Sequence, residues 1–372
     1  MYKIVQMVPA LGWGGAQVFC IQLCNELAKY DGYDITLISM YEHDPGRHLP
    51  LSMLDSKIKF ITLGKKQGID LSMFTKIYRT LKEIEPDVVH THLHAGYYCF
   101  YAYGRLRYSF KKIHTLHNLA KQDAPLHGRK MFKYFFKRNI IHPVAISEEV
   151  FKSAKAEYGS SVKTLINNGS NEITPSVAFE ETARRIDSLK KTPQTKIFLN
   201  VARISKQKNH RMLLECMRQL EGAEADVGAI ILGDCAPANE HIFEELQAKK
   251  PSNVHLLGKV SNVGDYLLHA DAFVLTSLFE GLPISLLEAL SAGIIPICTP
   301  VGGVKNIVSK EIGFLSDDVS AGSYLHAINE YLQAKPQDLQ QLRENGRALY
   351  QKEFSMQRCA ARYDELYHAI HN

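Results

Sequence analysis

The sequence predicts an α/β protein made of two tandem, doubly wound, Rossmann-like domains with a cleft between them. Three observations lead there. Short apolar runs alternate with amphipathic stretches along most of the chain. The alternation pauses once, over a polar, turn-rich segment near the middle. The chain has 372 residues, enough for about two domains of ~150 residues each.

The elements follow in order. Lys3–Val8 reads as a strand, and Gly15–Tyr30 as a helix with apolar residues at 16, 19, 20, 23 and 27. Asp34–Ser39 is a strand, Leu71–Ile84 a helix and Asp87–His90 a strand. Lys112–Thr115 and Pro143–Ile146 complete the first series. Asn167–Thr195 is polar and reads as the domain connection. A second series then begins with strand Lys196–Val201, helix His210–Gln219, strand Gly228–Leu232 and helix Asn239–Lys249. Strand Val254–Leu257, helix Val263–Leu268, strand Ala272–Thr276, helix Ile284–Ser291 and strand Ile294–Thr299 follow. The expected domains are 1–168 and 169–355. Residues 356–372 form a terminal helix able to pack back on the N-terminal domain. Open α/β sheets bind ligands at the carboxyl ends of their strands, so the cleft is the expected site.

Composition excludes several classes. Hydrophobic residues make up 45% and charged residues 22%, as in ordinary globular proteins and unlike disordered or collagenous chains. No run approaches the ~18 apolar residues of a membrane-spanning helix, and the N-terminus does not read as a secretory signal. The seven cysteines include no C-x-x-C pair, so free thiols in a reducing cytoplasm are expected. The net charge is +5, but residues 105–138 carry ten Lys/Arg and a single acid, Asp123. One strongly basic segment therefore sits in an otherwise mildly acidic chain. Within it, RKMFKYFFKRNII (129–141) interleaves bases with aromatics. An anionic membrane surface or a solvated helix with a buried aromatic side suits that pattern better than nucleic acid does.

Four constellations carry chemistry. In FEGLPISLLEAL (279–290), Glu280 precedes the tight turn Gly281-Leu282-Pro283, and a helix starts near Ile284. Free amides and the positive dipole end there favour an oxygen-rich or anionic ligand. Glu288 lies about one turn into that helix, where a carboxylate accepts from a vicinal diol; the plain alternative is a solvent-facing pair. In NVARISKQKNH (200–210), Arg203 and Lys208 follow a strand and flank a helix start, which suits a diphosphate. A solvated basic loop is the plain alternative. LGWGGAQ (11–17) places Gly14 and Gly15 after the first strand, either for close backbone approach to a ligand or as a tight turn. It lacks the G-x-G-x-x-G of a nicotinamide site. His90, His92 and His94 alternate at a strand end, and His114 and His117 flank another. They read as cleft-lining or backbone-satisfied groups before they read as metal ligands, since no acidic cluster completes a coordination sphere.

These residues together resemble the retaining GT-B glycosyltransferases of family 4, which use nucleotide-sugar donors. The likeness runs from GWGGAQ to about residue 315 and rests most firmly on Arg203, Lys208 and the Glu280/Glu288 pair. HTLHN (114–118) and NNGSN (167–171) fit the family pattern as well. The resemblance implies that the Gly14-Gly15 backbone approaches the donor and that His117 contacts the transferred sugar. Arg203 and Lys208 would hold the diphosphate. Glu280, with the backbone of the turn Gly281, Leu282, Pro283 and Ile284, would bind the donor sugar. Glu288 would bind the ribose, and the base would lie near Val260. Neither a metal nor another cofactor is implied. The implied partners are a nucleotide sugar and a saccharide or lipid-linked saccharide acceptor, with an anionic membrane surface met by 105–138 and no nucleic acid. Cell-surface polysaccharide or glycolipid assembly, at the cytoplasmic face of the plasma membrane, is the implied setting. A non-hydrolysing nucleotide-sugar epimerase of the same shape, or a non-catalytic binding module, is the alternative. Two positions depart from the family pattern: Cys235 follows Gly233-Asp234, and Asn306 follows the later glycine pair.

Overall fold

A computed structural model describes residues 1–106 and 110–370. Contacts divide it into two compact units, Met1–Ser170 with Met356–Asn372, and Asn171–Ser355. The break thus falls inside the NNGSN turn.

Unit 1 is a seven-stranded parallel sheet. Its strands are β1 (Tyr2–Val8), β2 (Tyr33–Ser39), β3 (Lys59–Thr62), β4 (Val88–His92), β5 (Lys111–Leu116), β6 (His142–Ala145) and β7 (Thr164–Leu165). They run in the order β3-β2-β1-β4-β5-β6-β7. Unit 2 holds β8 (Lys196–Val201), β9 (Val227–Leu232), β10 (Val254–Gly258), β11 (Ala272–Leu275), β12 (Ile295–Cys298) and β13 (Phe314–Leu315). Their order is β10-β9-β8-β11-β12-β13, again all parallel. In each unit the strand order reverses beside the first strand, between β1 and β4 and between β8 and β11. That is the topological switch point at which such sheets bind ligands.

The central strands are buried on both faces, as the apolar runs VV (88–89) and GAIIL (228–232) require. The sequence reading misses β3, β7 and β13. These are edge strands of two to four residues, too short to show a period. The polar stretch read as a bare connection also contains the helix Phe179–Asp187. Its buried residues, Thr182 and Ile186, belong to unit 2. The Asn262 amide donates to Thr182 Oγ1 (2.7 Å), and the ring of Phe179 stacks on His269 (4.1 Å between centroids).

The terminal helix Met356–Ala369 is part of unit 1, with Cys359, Tyr363 and Tyr367 buried. The basic helix Leu126–Lys137 buries Phe132 and Phe136 completely. Phe132 stacks on His114 at 4.2 Å and on Phe136 at 5.3 Å. Of the aromatics interleaved with bases, these two are therefore core residues. Tyr134, on the opposite face, is half exposed. All seven cysteines are free thiols.

Candidate functional site

In unit 2 the loops after β8 and β11 are tied into one cluster. Lys208 and Glu280 form an ion pair, Nζ to Oε1 at 2.5 Å, with side chains 14% and 6% exposed. The Ser277 hydroxyl donates to the same oxygen at 2.6 Å. The two loops also exchange backbone contacts. The Leu278 amide donates to the Gln207 carbonyl (2.8 Å), and the Gln207 side chain returns a bond to the Phe279 carbonyl (2.8 Å). The Thr276 hydroxyl donates to the Lys208 carbonyl (3.0 Å). Asn209 turns the chain into helix His210–Gly222 with a left-handed φ of 50°, a conformation that costs a non-glycine residue energy and persists where the surroundings impose it.

A third loop, after β12, closes on the same turn. The Thr299 hydroxyl donates to the Ser277 carbonyl (2.7 Å), and the Gly303 amide donates to the Gly281 carbonyl (2.8 Å). Gly302 has φ +52°, and a Cβ there would lie 1.8 Å from the Glu280 carbonyl oxygen. Only glycine lets that loop pack on the Glu280 backbone. Sequence reasoning did not single out Ser277, Gln207, Thr299 or Gly302. The only signal available was the second Gly-Gly pair.

Helix Ile284–Ala292 starts at Pro283 with no side-chain cap. Leu282 and Ile284 point into the core, each 5% exposed, so only the backbone of this turn is available to a ligand. Glu288, in the same helix, keeps part of its surface open, yet burial pushes its carboxyl up to about 7. Arg203 is exposed and makes no hydrogen bond or ion pair among the described residues. The structure does not join it to the Lys208–Glu280 pair. Close to its backbone, Gly233 packs so tightly that a Cβ would lie 1.9 Å from the Ala202 carbonyl oxygen. Val260 sits half-buried on the loop after β10. Cys235 bridges to Ile204 through backbone pairing.

In unit 1, Gly14 is the extended N-cap of helix Gly15–Leu27 and has no side chain to offer the first amides. The amides of Gly15 and Ala16 precede the first bond back to the Gly14 carbonyl, which the Gln17 amide makes at 3.0 Å. His117 follows β5. Its amide and that of Asn118 donate to Asp123 Oδ1 (2.9 and 3.1 Å). Asp123, the one acid of the basic segment, is thus spent on holding this loop, and burial pushes its carboxyl up to about 7. Burial also brings the His117 imidazole down to about 3, so it is neutral. His90, His92 and His114 are completely buried. They hydrogen-bond to one another's neighbours through Thr115, Gln6 and Thr91. No group of three His, Cys, Asp or Glu among the described residues is placed to hold a metal ion.

Known proteins share this layout. Residues 13–171 match the family described as Glycosyltransferase Family 4, and residues 181–349 match Glycosyl transferases group 1. The chain belongs to the GT-B glycosyltransferases of family 4. It is 26% identical over 348 residues to the UDP-Gal:alpha-D-GlcNAc-diphosphoundecaprenol alpha-1,3-galactosyltransferase of Escherichia coli, covering 87% of this chain and 86% of that one. An uncharacterized glycosyltransferase of Methanocaldococcus jannaschii is 27% identical over 270 residues, 67% of this chain and 64% of the relative. The match therefore spans about two thirds of that relative's length. HepE of Anabaena, solved in complex with UDP and glucose, superposes with a TM-score of 0.82 at 16% identity over the whole of both chains. At that identity the likeness shows the shared GT-B fold.

Two measurements test the energetics of this family 4 site. Lys208→Ala leaves the Glu280 carboxylate buried without its cation and should destabilise the protein by about 3 kcal/mol. Adding Glu280→Gln should recover most of that loss in denaturant titrations, and equal stability of parent and single variant would contradict the pairing. Glu288 has a raised folded-state pKa, so its stabilising contribution is full below the unfolded value and is lost as pH rises toward about 7. Glu288→Gln should therefore match the parent in thermal melts at about pH 4 and exceed it at about pH 8. A difference independent of pH would refute that environment.

Proposed function

We propose that the protein is a retaining, metal-independent glycosyltransferase. It moves a hexose-type sugar from a nucleotide sugar to an acceptor hydroxyl in the assembly of a cell-surface polysaccharide or glycolipid. The observation that carries this reading is the Lys208–Glu280 pair at the carboxyl end of β11, beside an uncapped helix start. One ammonium hydrogen of Lys208 goes to Glu280. Lys208 makes no other side-chain hydrogen bond among the described residues, so two hydrogens remain for diphosphate oxygens. As the glycosidic bond to the donor breaks, negative charge grows on the departing diphosphate, and a preorganised ammonium stabilises it there. Arg203, exposed and uncommitted, supplies a second cation with a bidentate fork. These positive groups fill the charge role that a divalent cation has in other transferases.

Glu280 accepts from hydroxyls of the donor sugar, and the first amides of helix Ile284–Ala292 donate to its oxygens. Glu288 accepts from the ribose hydroxyls, and the base lies near Val260. The roles assigned to unit 1 are close backbone approach at Gly14-Gly15 and a neutral His117 turned to the sugar. In the retaining course, acceptor and leaving group share one face of an oxocarbenium-like centre, and the diphosphate helps remove the acceptor proton. The E. coli relative's name specifies a UDP-linked donor and a lipid-diphosphate acceptor, and HepE was solved with UDP. A UDP-sugar and a lipid-linked saccharide are therefore the first substrates to try. An epimerase or a passive binding module is not favoured by the family match.

The basic segment suits such an acceptor. Helix Leu126–Lys137 turns Lys130, Lys133 and Lys137 outward with the exposed Leu126 and Tyr134, and Arg138 lies over the Tyr134 ring at 4.5 Å. Arg105 and Lys121 are exposed too, whereas Lys111 donates to the Tyr367 carbonyl. Arg107 lies outside the described residues. No helix among the described residues is long and apolar enough to cross a membrane. An anionic bilayer surface, the cytoplasmic leaflet in this reading, meets the exposed lysines.

Two experiments test the reading. Among UDP-, GDP- and ADP-sugars, a UDP-sugar should raise the thermal midpoint. With a lipid-linked acceptor it should then be transferred with the donor's anomeric configuration, unaffected by chelator and slowed by orders of magnitude in Lys208→Ala. No transfer across the panel, an inverted product, or undiminished turnover in Lys208→Ala would overturn it. Co-sedimentation with vesicles should require anionic lipid, weaken with salt and fall in Lys130→Glu/Lys133→Glu. Binding equal on neutral vesicles would remove the membrane role.

A further inference from the structure

His117 is the visible end of a buried hydrogen-bond chain that spans the three central strands of unit 1. Its Nε2 lies 2.9 Å from His92 Nδ1. His92 Nε2 lies 2.8 Å from Gln6 Oε1, and Gln6 Nε2 lies 2.9 Å from the Tyr367 hydroxyl. That hydroxyl is 2.8 Å from His90 Nδ1, and His90 Nε2 is 2.7 Å from Thr115 Oγ1. The links come from β1, β4, β5 and the terminal helix, and every member except His117 is essentially inaccessible to solvent. Family relatedness and the site motifs say nothing of this chain.

With the Gln6 amide placed as it is in the structure, its nitrogen toward Tyr367 and its oxygen toward His92, the chain is directional. A neutral imidazole has one N–H and one bare nitrogen. Burial holds His90 and His92 neutral by lowering their pKa values well below the usual range. Both nitrogens of each ring are engaged, so neither ring chooses its tautomer freely. Gln6 has chemically distinct ends. Its oxygen can only accept, so His92 carries its proton on Nε2 and offers a bare Nδ1. His117 must then donate from Nε2, which leaves its Nδ1 bare. On the other side the Gln6 amide donates to the Tyr367 oxygen, whose O–H donates to His90 Nδ1, and His90 Nε2–H donates to Thr115. No other hydrogen bond to the His117 ring exists among the described residues.

We propose that Tyr367, on the terminal helix, is a positioning residue that holds His117 in a single tautomer through His90, Gln6 and His92. The free Nδ1 of His117 thereby has one defined hydrogen-bonding character toward a sugar hydroxyl. The catalytic consequence rests on the glycosyltransferase reading above; the tautomer itself does not. Without the Tyr367 hydroxyl, either orientation of the Gln6 amide leaves one of its ends unpaired. The amide is then no longer oriented, and both tautomers of His92 and His117 become populated.

Ring-nitrogen NMR of the labelled, ligand-free protein tests this. The parent should show His117 with one protonated and one bare nitrogen in a single tautomer. Tyr367→Phe should lose that single state, giving mixed or exchanged signals while the protein stays folded. Tyr363→Phe is the control: Tyr363 contacts Thr115 at 2.9 Å from the same buried helix face, so its loss costs a comparable buried hydroxyl but leaves the six-residue chain intact. Its His117 signals should match the parent. If the parent already shows both tautomers, if Tyr367→Phe leaves His117 unchanged, or if both variants shift it alike, the proposal is overturned. With a donor in hand, Tyr367→Phe should lower kcat while donor KM stays near the parent value. Loss of KM alone would contradict a role through His117. An NMR result as expected from a protein that transfers no sugar would overturn only the functional reading.

Discussion

A parallel strand covered on both faces can carry polar chemistry only where it leaves the sheet. That constraint organises both units. The segment after β1 carries Gly14, that after β5 His117, that after β8 Arg203 and that after β11 Ser277 and Glu280. The interiors of the same strands are mostly apolar, because helices cover them. Among the polar residues buried within strands, His90 and His92 in β4 and Gln6 in β1 have each of their side-chain polar atoms paired.

Unit 2 solves its polar problem with charge. Two loops that follow different strands are held by one ion pair, a shared hydroxyl on Glu280 and mutual backbone bonds. A third loop is admitted by Gly302, whose missing side chain lets two backbones touch. Ser277 orients the Glu280 carboxylate, and the Lys208 ammonium keeps hydrogens free for the ligand of the proposed function. Unit 1 solves the same problem without net charge. It uses neutral imidazoles, an amide and a phenol in series, each satisfying its neighbour, and the terminal helix supplies the middle link.

The basic segment also separates into parts. Its aromatic residues at 132 and 136 build the core against His114, its one acid holds the His117 loop, and the lysines at 130, 133 and 137 are left outward. The sequence pattern alone could not separate a solvated helix from a surface-binding one, since both bury one aromatic side. Burial identifies which side that is, and the remaining outward charge is what a partner would meet.

The sequence by itself determined the parallel architecture, the two-domain plan and the strand-end turns that the proposed function uses, because uninterrupted apolar runs and glycine turns are local signals. It also marked Lys208, Glu280 and Glu288 by their place in strand–turn–helix motifs, and His117 through a family likeness. It missed the short edge strands and the helix inside the polar connection, where too few residues repeat to show a period. Tertiary structure alone decided that Lys208 and Glu280, 72 positions apart, share a proton-bearing contact while Arg203 stays apart. It alone decided that Gly302 must lack a side chain and that Tyr367 meets Gln6 across 361 positions. Such pairings depend on which strands lie side by side, and only the folded sheet settles that order.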